Sequence, residues 1–114
     1  MVENKETENK IAKLQALEQN IQNILAQKQT FQSNIVEIDN ALDEVSNAKD
    51  KIYKIVGNIM IISDKDSIKT DLTSKKEIVS LRIKSIEKQE NNLKEKASSL
   101  QSEVLETLKS KEDK

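Results

Sequence analysis

The sequence predicts a mainly α protein: two long antiparallel helices forming a coiled coil, joined by a single β-hairpin. Three observations lead there. Two stretches carry apolar residues in alternating steps of three and four, the signature of a coiled-coil seam. Between them, residues 51–62 hold the only Gly, the only Tyr and the densest β-branched cluster of the 114 residues. Finally, 34% of residues are charged and 2% aromatic, with no Pro, Cys, His or Trp. Long solvated helices tolerate that mix, whereas a compact core lacks the large side chains it needs. A single domain over 1–114 is expected.

The first helix is expected over about residues 5–47, with the polar stretch 1–10 fraying. Its seam runs Leu14, Leu17, Ile21, Ile24, Lys28, Phe31, Ile35, Ile38, Leu42, Val45, in which Lys28 is the one polar member. Gln, Asn and Glu fill most other positions, as a solvated face should. Such a helix is roughly 65 Å long at 1.5 Å per residue, too long for an ordinary globule. Ser46–Asp50 loses the period but offers neither Pro nor Gly as a turn signal.

The hairpin is expected over 51–63. Gly57-Asn58 separates two β-favouring runs, and Gly at the first central position suits a type II′ turn. That register sets Val56 opposite Ile59, Ile55 opposite Met60 and Lys54 opposite Ile61. Ile59–Ile62 is apolar on both faces, and a lone two-stranded hairpin is marginal in water. Other copies or related subunits are expected to complete a larger sheet, which makes the hairpin an assembly element.

Ser63 begins Ser-Asp-Lys-Asp, a weak capping box that places the second helix over about 64–109, with Asp64 and Asp66 complementing its dipole. The second seam is Leu72, Lys76, Val79, Ile83, Ile86, Glu90, Leu93, Ala97, Leu100, Val104. Leu105 and Leu108 extend the apolar surface, and Ser110–Lys114 is a polar tail. A short connection makes the helices antiparallel. Folding back brings Ile35 near Ile83, Ile21 near Ala97 and Leu14 near Val104. It also brings Lys28 near Glu90: either the two meet and fix the register, or each reaches solvent separately. At the distal tip, Ile11, Leu14 and Leu17 face Val104, Leu105 and Leu108. These six are the candidate contact surface, read either as residual packing at a fraying end or as a soft apolar patch for non-native chains.

Several function classes are excluded or disfavoured. No His or Cys leaves no imidazole base, thiol nucleophile or usual transition-metal ligand set, and one Gly cannot build a familiar phosphate loop. Neither enzymatic activity nor a cofactor is expected. Asp64 and Asp66 fit helix capping better than cation binding. Nineteen basic and twenty acidic residues are interspersed, which points away from nucleic acid as a main partner. The longest apolar run, Ile59–Ile62, is far too short to span a bilayer, and the start Met-Val-Glu-Asn-Lys-Glu lacks the apolar stretch of a signal peptide. A soluble, cytoplasmic protein is expected.

The hairpin Ile-Tyr-Lys-Ile-Val-Gly-Asn-Ile-Met-Ile-Ile at 52–62, set between two heptad-bearing helices, resembles the β-class subunits of prefoldin: the archaeal β subunit and, similarly, eukaryotic prefoldin subunit 6. The resemblance covers nearly the whole chain. It rests on Tyr53, Lys54, Val56 and Gly57, on Ser63-Asp64-Lys65-Asp66, on Lys-Lys-Glu at 75–77 and on the stretch from Arg82 to Gln89. The turn-poor linker before Lys51 departs from many relatives. A single hairpin resembles the β class, since α-class subunits carry two.

What the resemblance implies is an ATP-independent holdase chaperone. Two α-class and four β-class subunits would form a hexamer whose hairpins build a double β-barrel, with coiled-coil arms that pass unfolded proteins to a group II chaperonin. By resemblance, Ile52, Tyr53, Ile55, Val56, Gly57, Ile59, Ile61 and Ile62 serve oligomerisation. Ile11, Leu14, Leu17, Val104, Leu105 and Leu108 are the client-contact candidates. The tail, with Lys109 and Lys111, either meets the chaperonin or is simply solvated. Partners would be α-class subunits, further copies of this chain, unfolded clients and the chaperonin, with neither nucleic acid nor membrane. A homo-oligomer is also compatible with this chain. The rival class is a structural scaffold or tether holding fixed, folded partners.

Overall fold

The computed structural model describes the backbone of residues 2–112 and the side chains of residues 5–109. Four elements follow in order: α1 (Val2–Asn47), β1 (Ile52–Val56), β2 (Ile59–Ser63) and α2 (Lys65–Glu112). Neither helix contains a Gly or Pro that would interrupt its hydrogen-bond ladder. α1 begins ahead of the expected start near residue 5, and α2 runs past 109. Met1, Asp113 and Lys114 and the side chains of Ser110–Glu112, Lys111 included, lie outside the described residues, so the expected role of Lys111 is not located.

Contacts fall into two compact units: one holds α1 up to Lys28 and α2 from Ser85 onward, and the other spans Gln29–Lys84. In the first unit the helix segments run antiparallel, with Lys10 paired to Glu103 at 3.7 Å and Lys28 to Glu90 at 3.2 Å. In the second, Asp39 pairs with Lys76 at 2.7 Å, and the Arg82 guanidinium lies 5.8 Å from the centre of the Phe31 ring. That last contact is a cation–π pair beside the seam.

Every one of the twenty seam positions is buried or half-buried, and Val79, Ile86 and Val104 are the buried hydrophobic residues. The seam also runs further than its apolar members suggest. Thr7 is buried and Lys10 and Thr107 are half-buried, continuing both series in steps of three and four. Polar residues at these positions hid the continuation from a search for apolar periodicity.

The second unit contains the hairpin. β1 and β2 pair antiparallel in the expected register, Ile52 with Ser63 through Val56 with Ile59. Gly57 has φ +62°, and among the described residues no non-glycine has positive φ. A positive value at the first central residue alone fits the type II′ turn; type I′ would require one at Asn58 as well.

Two local details differ from expectation. Ser63 is the last residue of β2, and the cap of α2 is Asp64, whose carbonyl accepts the first helical hydrogen bond from Ile68 N–H at 3.1 Å. The end of α1, which lacks a Gly, a Pro and any basic residue in its last turn, is closed by a residue from elsewhere. Lys65 Nζ donates to the carbonyl oxygens of Ser46 at 2.9 Å and Ala48 at 3.4 Å. A cation there satisfies carbonyls left over at the helix end and offsets the negative end of the dipole.

Candidate functional site

Successive residues of a strand point to opposite faces, and directly paired residues share one. The register therefore puts Tyr53, Ile55, Met60 and Ile62 on one face of the hairpin. Ile52, Lys54, Val56, Ile59, Ile61 and Ser63 share the other. All four residues of the first face are exposed, Ile55 at 70%. On the second, Val56, Ile59 and Ile61 are exposed, while Ile52 and Ser63 are half-buried at the root. Gly57 is exposed at the turn. Lys54 reaches Asp71 of α2 at 3.9 Å, a weak, exposed tie. Burial normally removes residues of this kind from water, so two open apolar faces are a surface in want of a partner.

The six candidates on the first unit divide into two groups. Leu14, Leu17 and Val104 are seam residues; Val104 is only 8% exposed, and the two leucines are half-buried. Ile11, Leu105 and Leu108 lie outside the seam and are exposed, Leu105 at 57%. Ile11 directly follows seam residue Lys10, and Leu108 follows Thr107, which in an antiparallel pair puts both on the same flank. Leu105 and Leu108 are three apart and neighbours on the helix surface. The exposed members of the six are thus Ile11, Leu105 and Leu108, and the other three belong to the seam.

Within the same unit, the seam is interrupted by charge. Glu90 is 6% exposed. One carboxylate oxygen accepts from Lys28 Nζ at 3.2 Å, the other from Lys94 Nζ at 2.8 Å, and Glu87 stands 4.0 Å from the Lys28 ammonium. Hydrogen bonds from Lys94 and then Lys28 hold the Glu90 carboxyl below the ordinary range, against the opposing pull of burial. Of the two alternatives for Lys28 and Glu90, the meeting is the one realised.

Among the described residues no group of three or more His, Cys, Asp or Glu is placed to hold a metal ion, and no helix is long and apolar enough to cross a membrane. Sequence reasoning missed three exposed apolar residues on helix surfaces, Val36, Ile78 and Leu81, because they fall outside any period.

Comparison with known proteins agrees with this architecture. The family model described as "Prefoldin subunit" matches residues 8–111. The prefoldin subunit beta of Saccharolobus islandicus (strain L.S.2.15 / Lassen #1) is 37% identical over 105 residues, covering 90% of this chain and 83% of that protein. That of Archaeoglobus fulgidus is 31% identical over 105 residues, covering 90% of each. The crystal structure of the prefoldin beta subunit from Thermococcus strain KS-1 superimposes with a TM-score of 0.86 at 28% identity, over 90% of this chain and 92% of that one. The beta2 subunit from the same strain shares the fold, with a TM-score of 0.70 at 16% identity, over 78% of this chain and 97% of that one. Two long helices, one hairpin in this register and a match along almost the whole length lead to one assignment: the chain belongs to the prefoldin family, among its β-class subunits.

Proposed function

We propose that this chain is one subunit of an ATP-independent holdase. It would assemble through its hairpin with α-class subunits and further copies of itself, two α and four β, into a double β-barrel. It would hold unfolded proteins through the ends of its helices and yield them to a group II chaperonin in the cytoplasm. The observation that carries this reading is the exposed trio Ile11, Leu105 and Leu108, at the ends of seams that hold half-buried Leu14 and Leu17 and buried Val104. A shallow apolar patch on a charged helix pair offers contact without a pocket that would select one ligand. Several such patches in one assembly add by effective concentration, so each contact can stay weak. Release then needs only a competitor for the same client surface, with no nucleotide hydrolysis.

The test is light scattering as a chemically unfolded protein is diluted into buffer with this subunit and a matching α-class partner. The comparison is the same assembly with residues 1–13 and 103–114 removed from this subunit. Suppression of scattering that weakens at least severalfold on trimming is expected. A verified full-length hexamer that suppresses nothing, yet binds folded partners selectively, would move the assignment to a structural tether.

A further inference from the structure

The second unit exposes apolar side chains that neither the hairpin nor the helix ends account for. Leu81, at 64%, is the most exposed large hydrophobic residue of either helix among the described residues, and Ile78 beside it is 51% exposed. At 3.6 residues per turn, Ile78 lies about 60° to one side of Leu81 and about 4.5 Å nearer the start of α2. Glu77 and Lys84 lie about 40° and 60° to the other side, about 6 Å before Leu81 and about 4.5 Å beyond it. Both are exposed, and among the described residues neither has an ionic partner. Ser74, almost in line with Leu81 two turns earlier, is small and exposed, so it does not screen the leucine.

We infer that this face of α2 pairs antiparallel with the same face on a second copy of the chain. Leu81 meets its equivalent at a twofold axis, and Glu77 of each copy meets Lys84 of the other. The inference rests on the reading that hairpins gather chains into an assembly, and it adds a contact between one assembly and the next.

Charge selects this occupant. The face carries one unpaired charge of each sign, so a partner of uniform sign would satisfy one and repel the other. A twofold axis through Leu81, perpendicular to α2, reverses the direction of the helix and keeps the flank. It therefore brings Glu77 to Lys84 twice and leaves no like charges together. Parallel pairing would instead set Glu77 against Glu77 and Lys84 against Lys84, which costs energy.

Direction then decides which copies meet. The hairpin precedes α2, so an antiparallel pair has its two hairpins at opposite ends. Chains gathered at one set of hairpins run the same way from it, and the contact joins chains of two different assemblies.

Size decides its strength. Two apolar side chains and two ion pairs fall far short of the roughly 800 Å² per partner of a stable interface. A single pair is weak, and several pairs acting together between two assemblies are needed to hold it.

The experiment uses the full-length chain assembled with a matching α-class partner, with this chain supplied as an equal mixture of isotope-labelled and unlabelled protein. A water-soluble carbodiimide joins carboxylates to ammonium groups already in contact, and mass spectrometry maps the products. An adduct between positions 77 and 84 that combines a labelled and an unlabelled peptide is expected. Sedimentation should show a species of twice the assembly's mass that grows with protein concentration and recedes with salt. Leu81→Asp should lower both signals at least fivefold, and so should Lys84→Glu. Exchanging the charges, Glu77→Lys with Lys84→Glu, should restore them. Val36→Asp, at an exposed apolar position of α1, should change neither. Helical content is matched to wild type for each variant.

A mixed adduct indifferent to Leu81→Asp, a loss in Lys84→Glu that the exchange does not restore, or an equal loss in Val36→Asp would overturn the contact. An intact assembly without the mixed adduct removes this contact alone. Wild-type chains that fail to assemble at all remove the assembly reading and the contact with it.

Discussion

At the scale of single residues, Glu90 bears the most on how the helices pair. It is a carboxylate in an otherwise mostly apolar seam, and both of its oxygens are taken, one by a lysine from each helix. A slip of one heptad would set Glu90 opposite Ile21 with Lys28 facing Ile83, or Glu90 opposite Ile35 with Lys28 facing Ala97. Each alternative strands a charge against aliphatic side chains, so the pair penalises wrong registers more than it strengthens the right one. A double-mutant cycle on Lys28→Ala and Glu90→Ala is expected to be non-additive in thermal unfolding, with the second substitution costing less once the first is present; purely additive effects would refute the pairing. The same group carries a pH signature. Its folded carboxyl lies below the ordinary value of 4.5, so its stabilisation is complete above that value and lost as pH falls through the lower folded one. Facing it are Lys28 and Lys94, with Glu87 beside Lys28. The difference in Tm between wild type and Glu90→Gln should therefore shrink as pH falls below the ordinary value of 4.5. A constant difference would mean that the charge is not what stabilises.

At the scale of elements, the end of α1 depends on a residue in the first turn of α2. Lys65→Met keeps most of the aliphatic stem and removes the cation from the Ser46 and Ala48 carbonyls. The expected cost is about 0.3–1 kcal/mol at low ionic strength, diminishing with added salt. Hydrogen exchange should localise it, with faster exchange at the last amides of α1 and little change at Ile21 or Ile24. Equal exchange in both proteins would mean that α1 stops there for another reason. This cap also marks the limit of what the sequence discloses. The seams, the hairpin and its turn type were legible because each is a periodic or adjacent pattern: Leu14 to Val45, Leu72 to Val104, and Gly57-Asn58 between β-branched runs. Lys65 closing a helix that ends near Asn47 is a long-range contact with no local signal. The cap of α2 was misplaced by one residue because Ser63 and Asp64 both suit the position, and strand pairing with Ile52 claims Ser63. The candidate surface was half legible. Periodicity put Leu14, Leu17 and Val104 in the seams and Leu105 and Leu108 outside them, but it did not reveal that Thr7, Lys10 and Thr107 carry the seam onward with polar side chains.

At the scale of the whole molecule, the hairpin is the element that its own chain leaves most exposed. Tyr53, Ile55, Met60 and Ile62 lie on one face with nothing over them, and Val56, Ile59 and Ile61 are open on the other. Two strands alone give too little buried area to hold such a surface in water. Membership of the prefoldin family implies association with other prefoldin subunits, and the hairpin is the surface with the strongest physical reason to associate. Placing Lys at Ile55 and Ile62 puts two cations on one face without touching either helix. Ile55→Lys with Ile62→Lys is expected to abolish assembly, seen as a fall of the sedimenting mass to that of a single chain, while far-UV circular dichroism retains most of its helical signal. The consequence for holding follows from valency: a lone chain presents one weak patch, and linked chains present several at high effective concentration. Suppression of aggregation should therefore fall far more than the loss of any one apolar contact would explain. An unchanged mass would place the association surface elsewhere on the chain. A single-chain form that still suppressed aggregation at equal subunit concentration would show that holding does not require several patches acting together.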